Sequence, residues 1–196
     1  MTHAISDDAL DIIFRAARSQ NKWQDKPVSN ALLMAVYELM RMGPTAANTC
    51  PARIVFVTTS EGKERLKPHL DAGNVAKSMS APAVAIIGYD LEFYEKLPEL
   101  FPSRPQMKDS FKEPVATHTV AFRNGTLQGA YFMIAARALG LDCGPMSGFN
   151  NHGVDAEFFA GTKIKANFIC AIGHGDPAGI FPRLPRLPFD EACQIV

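Results

Sequence analysis

The chain has 196 residues, of which 47% are hydrophobic and 20% are charged, and this is enough apolar material for one packed domain over residues 1–196. Twenty Lys and Arg residues balance twenty Asp and Glu residues, so no basic field favours nucleic acid or an anionic membrane surface as a partner. The sequence shows neither a signal peptide nor an apolar run of membrane-spanning length, and we expect a cytoplasmic protein without a membrane partner.

The four cysteines predict neither a disulfide framework nor a metal site. Cys50, Cys143, Cys170 and Cys193 lie far apart in the sequence, with no Cys-x-x-Cys pair and no histidine at zinc-ligand spacing. We therefore expect reduced thiols and no bound metal.

Two helices are predicted before residue 44. Ser6 begins the first, which we expect to end near Arg18, and Ser29 is the predicted N-cap of the second, which stops at Gly43. Apolar residues recur at helical spacing in both. The expected buried side of the second helix consists of Leu32, Leu33, Val36, Leu39 and Met40.

The middle of the chain alternates between β-branched runs and helical patterns. Strands are predicted over residues 54–59, 83–89 and 166–172. Shorter helices are predicted from Ser60 towards Leu70, over residues 74–79 and over residues 154–159.

The longest predicted helix covers residues 116–139, with Gly140 suited to end it. Gly125 and Gly129 lie four residues apart within it, so they permit a close crossing with a neighbouring element.

Three segments show no regular pattern. Residues 97–114 hold four prolines and mixed charge, as in an irregular excursion or a mobile lid. Residues 141–151 read as a loop broken by Gly and Pro, and the tail from Gly173, rich in Pro and Arg, is suited to reach outside the subunit. With three or four strands visible, the pattern indicates an α+β fold whose small sheet would gain from a partner subunit.

Two short motifs in the first quarter of the chain have the chemistry of a ligand site. Arg18 offers a bidentate fork and Ser19 a further donor, which together suit a phosphate, although an exposed helix end would carry the same residues. Pro44 and Thr45 lead to Asn48 in a loop of small residues, where an amide could contact the polar edge of a heterocycle. Ordinary turn chemistry explains this loop equally well.

Two later motifs also have side-chain or main-chain groups suited to contact a ligand. Asn74 and Lys77 are spaced i and i+3, so on a helix they would face one ligand together, and a solvent-facing helix end is the alternative. The segment from Pro145 to Gly148 has small residues at both ends, which would let a flat ring approach free main-chain N–H groups.

Taken together, these motifs resemble the nitroreductase superfamily, whose members combine an N-terminal Arg-Ser, a Pro-Ser/Thr-x-x-Asn loop, a central Asn-x-x-Lys and a late Pro-x-x-Gly loop. Three strings are more similar still to the malonic semialdehyde reductases of bacterial pyrimidine breakdown. They are residues 43–56 (GPTAANTCPARIVF), 138–149 (ALGLDCGPMSGF) and 184–192 (LPRLPFDEA).

The resemblance implies a nitroreductase-like α+β fold with a small mixed or antiparallel sheet, packed by helices in an intertwined homodimer. Two FMN sites would lie at the subunit interface, each built from both chains. The implied contacts are Arg18, Ser19 and Arg186, with Arg183 in reserve, for the phosphate; Pro44, Thr45 and Asn48 for the ring loop; Asn74 for the pyrimidine edge; Lys77 near N1 and O2; and the main chain of Pro145, Met146, Ser147 and Gly148 for N5.

The implied reaction is a ping-pong hydride transfer through flavin N5, with NADPH or NADH as donor and a small carbonyl compound as acceptor. The subgroup strings favour reduction of malonic semialdehyde to 3-hydroxypropanoate, and they name no catalytic side chain. A general nitroaromatic or quinone reductase and a flavin-binding protein without turnover are the alternatives. Asn21, Cys50, Ala52 and Ser147 depart from frequent family residues, which puts the usual nitroaromatic specificity in doubt.

Overall fold

The computed structural model describes residues 3–111 and 113–196. Its centre is a four-stranded sheet of order β1-β2-β4-β3 in which each neighbouring pair is antiparallel. The strands are β1 (Ala52–Val57), β2 (Ala83–Asp90), β3 (Asp142–Met146) and β4 (Ile164–Gly173). Together with the surrounding helices this is the expected α+β class, with an antiparallel sheet.

Helices cover both faces of the sheet. They are α1 (Asp7–Leu10), α2 (Asn30–Met40), α3 (Ser60–Leu66), α4 (Ala72–Ser80), α5 (Leu97–Leu100), α6 (Pro114–Ala138), α7 (Asn151–Phe158) and α8 (Phe189–Ala192). The side chain of Ser29 accepts a hydrogen bond from the Leu32 N–H, which confirms the predicted start of α2.

The central strands separate two apolar layers. Ala83, Ala85 and Ile87 of β2 pack with α2 and α6 on one face, whereas Val84 and Ile86 pack with α3, α4 and α7 on the other. Successive strand residues point to opposite faces, so β2 is buried on both sides and reads in sequence as a continuous apolar run.

The long helix α6 lies unusually close to the sheet because of its two glycines. A Cβ on Gly125 would stand 2.8 Å from Cβ of Tyr89, and one on Gly129 would stand 2.5 Å from Cε1 of Phe168. The predicted close crossing is therefore confirmed, and the element that α6 crosses is the sheet.

The N-terminal helix is shorter than predicted. α1 passes into a single π-helical stretch over Asp11–Arg15, and the helical backbone ends before Arg18. Arg18 and Ser19 consequently lie in an extended segment. On α2, the prediction that Leu39 is buried was wrong, since Leu39 is 47% exposed.

The segment predicted as a loop over residues 141–151 contains β3 and the start of α7. β3 is an edge strand with one neighbour, β4. An edge strand tolerates a proline because one side of it needs no N–H for the ladder. Gly144 and Pro145 therefore interrupt the apolar, β-branched pattern by which a strand is recognised in a sequence.

The excursion after β2 consists of short helical turns. α5 is followed by a 3₁₀ turn over Pro105–Ser110. Phe93 and Leu97 are fully buried, and the rings of Phe93 and Phe111 lie 4.9 Å apart between centroids.

Across the part of the chain that the structure describes, no helix combines the length and apolar character needed to cross a bilayer.

Candidate functional site

A cavity of about 600 Å³ brings together both ends of the chain. Its charged lining consists of four arginines, with Ser19 and Asn21 as polar neighbours, and we call it the arginine cavity. The arginines are Arg18, Arg137, Arg183 and Arg186; the apolar lining is Phe14, Ala17, Phe181, Pro182 and Leu184. No carboxylate is among these described lining residues, so the cavity is strongly cationic.

The cavity arginines donate to main-chain carbonyl oxygens. Arg183 Nη2 donates to the carbonyls of Arg15 (2.6 Å) and Ala17 (3.0 Å), and Arg18 donates to the carbonyl of Phe181. Nearby Arg15, by contrast, is neutralised by carboxylates of the first helical turns. The bonds to carbonyls fix the tail against the Arg18–Ser19 segment and leave the positive charge uncompensated, which suits an anion.

Arg137 was not predicted from the sequence. It lies in the last turn of α6, and its Nη1 donates to the carbonyl of Ile13 over 3.1 Å. Its Nε is buried without a hydrogen-bond partner. No local motif marks a single arginine at the end of a long helix, so only the tertiary structure assigns it to the cavity.

Ser19 is held at the free edge of β3. It forms a parallel bridge with Cys143, and the next residue, Gln20, donates from its backbone N–H to the Cys143 carbonyl over 3.0 Å. Trp23 then bridges Gly175 after β4. These bonds join the segment after Arg18 to the sheet, so Arg18 and Ser19 have fixed positions relative to β3.

The first turn of α4 is attached to the loop after β3. Asn74 Nδ2 donates to the carbonyl of Gly148 over 2.9 Å, and the backbone N–H of Asp71 donates to the same oxygen over 3.1 Å. A Cβ on Gly148 would stand 2.7 Å from Asn74 Nδ2. The N–H of Gly148 makes no hydrogen bond within residues 3–111 and 113–196, and it remains available as a donor.

Lys77 lies one turn further along α4, beside β3. Its Cδ would be 3.3 Å from a Cβ on Gly144, and burial lowers the pKa of its ammonium group. The half-buried position weakens solvent screening, so the charge acts more strongly on a neighbouring group than an exposed lysine would.

The predicted Pro145–Gly148 loop divides between core and surface. Pro145 and Met146 end β3, and the Met146 side chain is buried with Ser78 Oγ 3.4 Å from its sulfur. Ser147 is exposed and Gly148 partly exposed. The Ser147 side chain and the main chain around Gly148 are therefore accessible to a ligand.

The arginine cavity and the Asn74–Gly148 contact are thus connected through β3. Ser19 is paired at Cys143, Lys77 borders Gly144, and Asn74 is bonded at Gly148. The path from Cys143 to Gly148 covers six residues of β3 and its following loop, roughly 17 Å at the rise of an extended strand. One protomer therefore brings together the Arg18–Ser19, Asn74–Lys77 and Pro145–Gly148 motifs.

The loop of Pro44, Thr45 and Asn48 is not part of this group. The Ala46 N–H donates to Asn124 Oδ1 over 2.8 Å, and Asn48 Nδ2 donates to the Leu100 carbonyl over 2.7 Å. Asn124 and Arg137 are 13 residues apart on α6, roughly 20 Å along the helix axis. Within one protomer this loop therefore packs against the middle of α6, away from the end that carries Arg137.

The buried Cys170 thiol is not activated as a nucleophile. All four are free thiols. A hydrogen bond with Cys143 and burial raise the pKa of Cys170, so this thiol stays protonated. Within residues 3–111 and 113–196, no group of three His, Cys, Asp or Glu side chains is arranged to hold a metal.

Comparisons with known proteins agree on one family. A model described as the nitroreductase family matches residues 14–175. A protein of Stenotrophomonas maltophilia is 59% identical over the full length of both chains, and one of Ralstonia pickettii is 56% identical over the full length of both. Both are described provisionally as NADH dehydrogenase/NAD(P)H nitroreductases, the second with the name HadB.

Solved structures show the same fold at low sequence identity. A nitroreductase assigned provisionally in Bacillus subtilis has a TM-score of 0.85 at 21% identity, covering 97% of this chain and 100% of that one. A provisionally assigned nitroreductase of Exiguobacterium sibiricum, solved in complex with FMN, has a TM-score of 0.84 at 20% identity and full coverage of both chains. The expected nitroreductase-like α+β fold is therefore confirmed.

Proposed function

The chain belongs to the nitroreductase family, and we propose that it is an FMN-dependent NAD(P)H oxidoreductase whose flavin lies along β3. The observation that carries this proposal is that the segment of the arginine cavity, Lys77 and the Asn74–Gly148 contact all adjoin successive positions of β3 and its following loop. The cationic cavity at one end suits a phosphate. The donor groups of Asn74 and Gly148 at the other end suit the polar edge of a flat ring.

The arginine cavity would hold the phosphate. Arg18 and Arg186 supply planar donor forks, Ser19 a hydroxyl, and Arg183 fixes the tail against the carbonyls of Arg15 and Ala17. Charge-assisted hydrogen bonds of guanidinium to phosphate are among the stronger contacts in proteins. The absence of a competing carboxylate among the described lining residues supports this assignment.

The ring would lie against α4 and the loop after β3. Bound FMN supplies hydride acceptance and donation at its N5. Asn74 would orient the polar edge, the half-buried Lys77 ammonium would face the side where negative charge gathers, and the Gly148 N–H would be a preorganised donor. β3 is in close contact with the Ser19–Gln20 segment at Gly144, where a Cβ would stand 2.5 Å from the Gln20 carbonyl oxygen.

The structure supports completion of each site by a second subunit. The Asn48 loop is remote from the cavity of its own protomer, and α6 exposes an apolar side. Its exposed apolar residues are Val115, Phe122, Leu127 and Tyr131; those of the tail are Phe181, Leu184, Leu187 and Phe189. We propose an intertwined homodimer in which the α6 faces pack together and Asn48 of the partner subunit approaches the ring.

For the substrate we propose malonic semialdehyde, which would accept a hydride and a proton to give 3-hydroxypropanoate. The support is sequence similarity in residues 43–56, 138–149 and 184–192 to the semialdehyde subgroup. Reduction of nitroaromatics or quinones is the second candidate, because the relatives above are described as NAD(P)H nitroreductases.

The test begins with the absorbance spectrum of the purified protein, which should show flavin bands. Anaerobic NADPH or NADH should bleach them, and a colourless protein that binds no added FMN would contradict the proposal. Specificity constants should then be compared for malonic semialdehyde, a nitroaromatic and a quinone. Turnover of the last two without the first would remove the semialdehyde assignment and retain the flavin reductase.

A further inference from the structure

We infer that Arg137, at the C-terminal end of α6, is an additional anchor for the phosphate group of the bound flavin. The inference rests on the proposed function, since it concerns the same arginine cavity. It assigns a role to a residue that none of the four sequence motifs includes.

The first observation is the placement of Arg137. It lines the arginine cavity together with Arg18, Arg183 and Arg186, although α6 otherwise contributes no residue to that cavity. Its Nη1 bond to the Ile13 carbonyl holds the guanidinium beside the segment that leads into Arg18. The end of the long helix is thereby tied to the phosphate-binding segment.

The second observation is the state of its hydrogen bonds. Nε of Arg137 is buried and has no partner, and a buried N–H without an acceptor is a costly arrangement for a folded chain. Nη1 is committed to Ile13, so the side-on edge formed by Nε and Nη2 is the one left for two oxygens of an anion.

Two more ordinary roles for Arg137 do not fit. The end of α6 is already closed by backbone bonds from Leu139, Gly140 and Leu141 to the carbonyls of the last turn, so the side chain is not needed as a cap. None of the ion pairs between described residues involves Arg137, so it is not held by a carboxylate.

The chemistry of the cavity points to a phosphate monoester. Four guanidinium groups converge without a carboxylate among the described lining residues, and their mutual repulsion is relieved best by a dianion with several acceptor oxygens. A neutral sugar or ring would leave that repulsion in place.

The experiment compares FMN with riboflavin, which has the same ring and lacks the phosphate. Flavin-free protein is titrated with each compound, and binding is followed by quenching of flavin fluorescence. Arg137→Gln keeps most of the side-chain volume and removes the charge, and Arg137→Lys keeps the charge and removes the fork. Arg65→Gln is the matched control, because Arg65 pairs with Glu157 on the surface away from the cavity.

We expect Arg137→Gln to weaken FMN binding by about 10-fold or more, the loss of one charge-assisted contact, while riboflavin affinity changes by less than about 2-fold. Arg137→Lys should fall between the wild type and Arg137→Gln, and Arg65→Gln should match the wild type. The dependence of FMN affinity on salt should also be shallower in Arg137→Gln.

Unchanged FMN affinity in both Arg137 variants would overturn the inference, and so would equal losses for FMN and riboflavin, which would indicate a general structural role. If Arg137→Gln fails to fold, the same comparison in Arg137→Lys decides the question. Wild-type protein that binds neither flavin would overturn the proposed function and this inference with it.

Discussion

The side-chain amide of Asn74 and the carbonyl of Gly148 form a 2.9 Å hydrogen bond between α4 and the loop that follows β3. Asp71 donates its backbone N–H to the same oxygen. The bond uses one amide hydrogen of Asn74 and leaves its carbonyl oxygen and second hydrogen for a ligand. Asn74 therefore both orders the loop and presents donor and acceptor atoms, so one substitution should affect both the stability of the loop and ligand binding.

Asn74→Ala should weaken the loop and the ring contact together. Loss of a part-buried hydrogen bond should lower the free energy of unfolding by about 0.5–1.5 kcal/mol. The free energy of FMN binding should be weakened by a similar or larger amount. Denaturant unfolding of flavin-free protein measures the first effect, and fluorescence titration the second. Asn30→Ala, at an exposed position on α2, is the control; equal behaviour of the two variants would contradict the assignment.

Gly144→Ala should damage the site because β3 lies against the Ser19–Gln20 segment there. The new methyl group would meet the Gln20 carbonyl oxygen at 2.5 Å, a backbone atom that can move only by separating the two segments. We expect a loss of about 1–3 kcal/mol of stability together with weaker FMN binding. Gly73→Ala is the matched control, since a Cβ there has no neighbour within 4 Å.

In this control, Gly73→Ala should be neutral or stabilise α4 by up to about 1 kcal/mol, because alanine favours the helix. A Gly144→Ala protein as stable as Gly73→Ala, with unchanged flavin affinity, would show that the close approach at β3 is unimportant. Thermal unfolding with and without added FMN makes the comparison.

The sequence predicted most accurately the features that depend on local or periodic signals. Ser29 caps α2 as expected, and the β-branched runs became β1, β2 and β4. β3 was missed because Gly144 and Pro145 look like a break, and only the neighbouring β4 shows that this segment is an edge strand. The N-terminal helix is shorter than the sequence predicts, because the apolar residues at helical spacing continue past the last helical hydrogen bond.

The candidate site was predictable where short motifs carry it and not where the tertiary fold creates it. Arg18, Asn74 and Gly148 lie within such motifs. Arg137 is a single basic residue in a 25-residue helix, and nothing local distinguishes it from a solvent-exposed arginine. The pairing of Ser19 with Cys143, 124 positions later in the chain, likewise follows only from the sheet order.

Lys77 should make the stability of the flavin-free protein depend on alkaline pH. Burial lowers the pKa of this lysine from its usual 10.5, so between the two values the unfolded chain binds the proton and the folded chain does not. The free energy of unfolding should therefore rise as pH increases through that window. Lys77→Met should lose this part of the rise and be more stable at neutral pH, because no charge is then buried.

The control for this measurement is Lys163→Met, at an exposed position. Lys63, whose pKa burial also lowers, contributes equally to all three proteins and cancels in the comparison. Lys77→Met should in addition slow flavin reduction by NADPH if Lys77 has the proposed position beside the ring, because the positive charge that stabilises the reduced flavin is then removed. A stability profile for Lys77→Met parallel to that of the wild type would contradict the buried-charge assignment.

The exposed side of α6 predicts how the proposed dimer can be broken. Leu127 is 45% exposed in the single chain, so Leu127→Glu should cost the isolated subunit little and should disfavour packing of two α6 faces by burying a charge. Sedimentation should show a shift from dimer to monomer, with reduced flavin content. Leu127→Met preserves the apolar face and should remain dimeric; a dimeric Leu127→Glu protein with full flavin content would place the interface elsewhere.

The separation of Arg18 from Asn48 allows a direct test of which subunit supplies each residue. Arg18→Ala and Asn48→Ala are expected to weaken FMN binding singly. If each site takes Arg18 from one chain and Asn48 from the partner subunit, a heterodimer of the two variants has one intact site and one with both changes. Heterodimers isolated with two different affinity tags should then bind about half the wild-type amount of FMN at high affinity.

The reciprocal heterodimer makes the result unambiguous. Wild-type protein paired with the double variant Arg18→Ala/Asn48→Ala would have one change in each shared site, and thus no intact site. If both residues instead served the same chain's flavin, the outcomes would be reversed: no high-affinity site in the first heterodimer and one in the second. Because the two heterodimers carry identical total substitutions, a general loss of stability cannot produce the difference, and the distribution of FMN between them reports the geometry of the site alone.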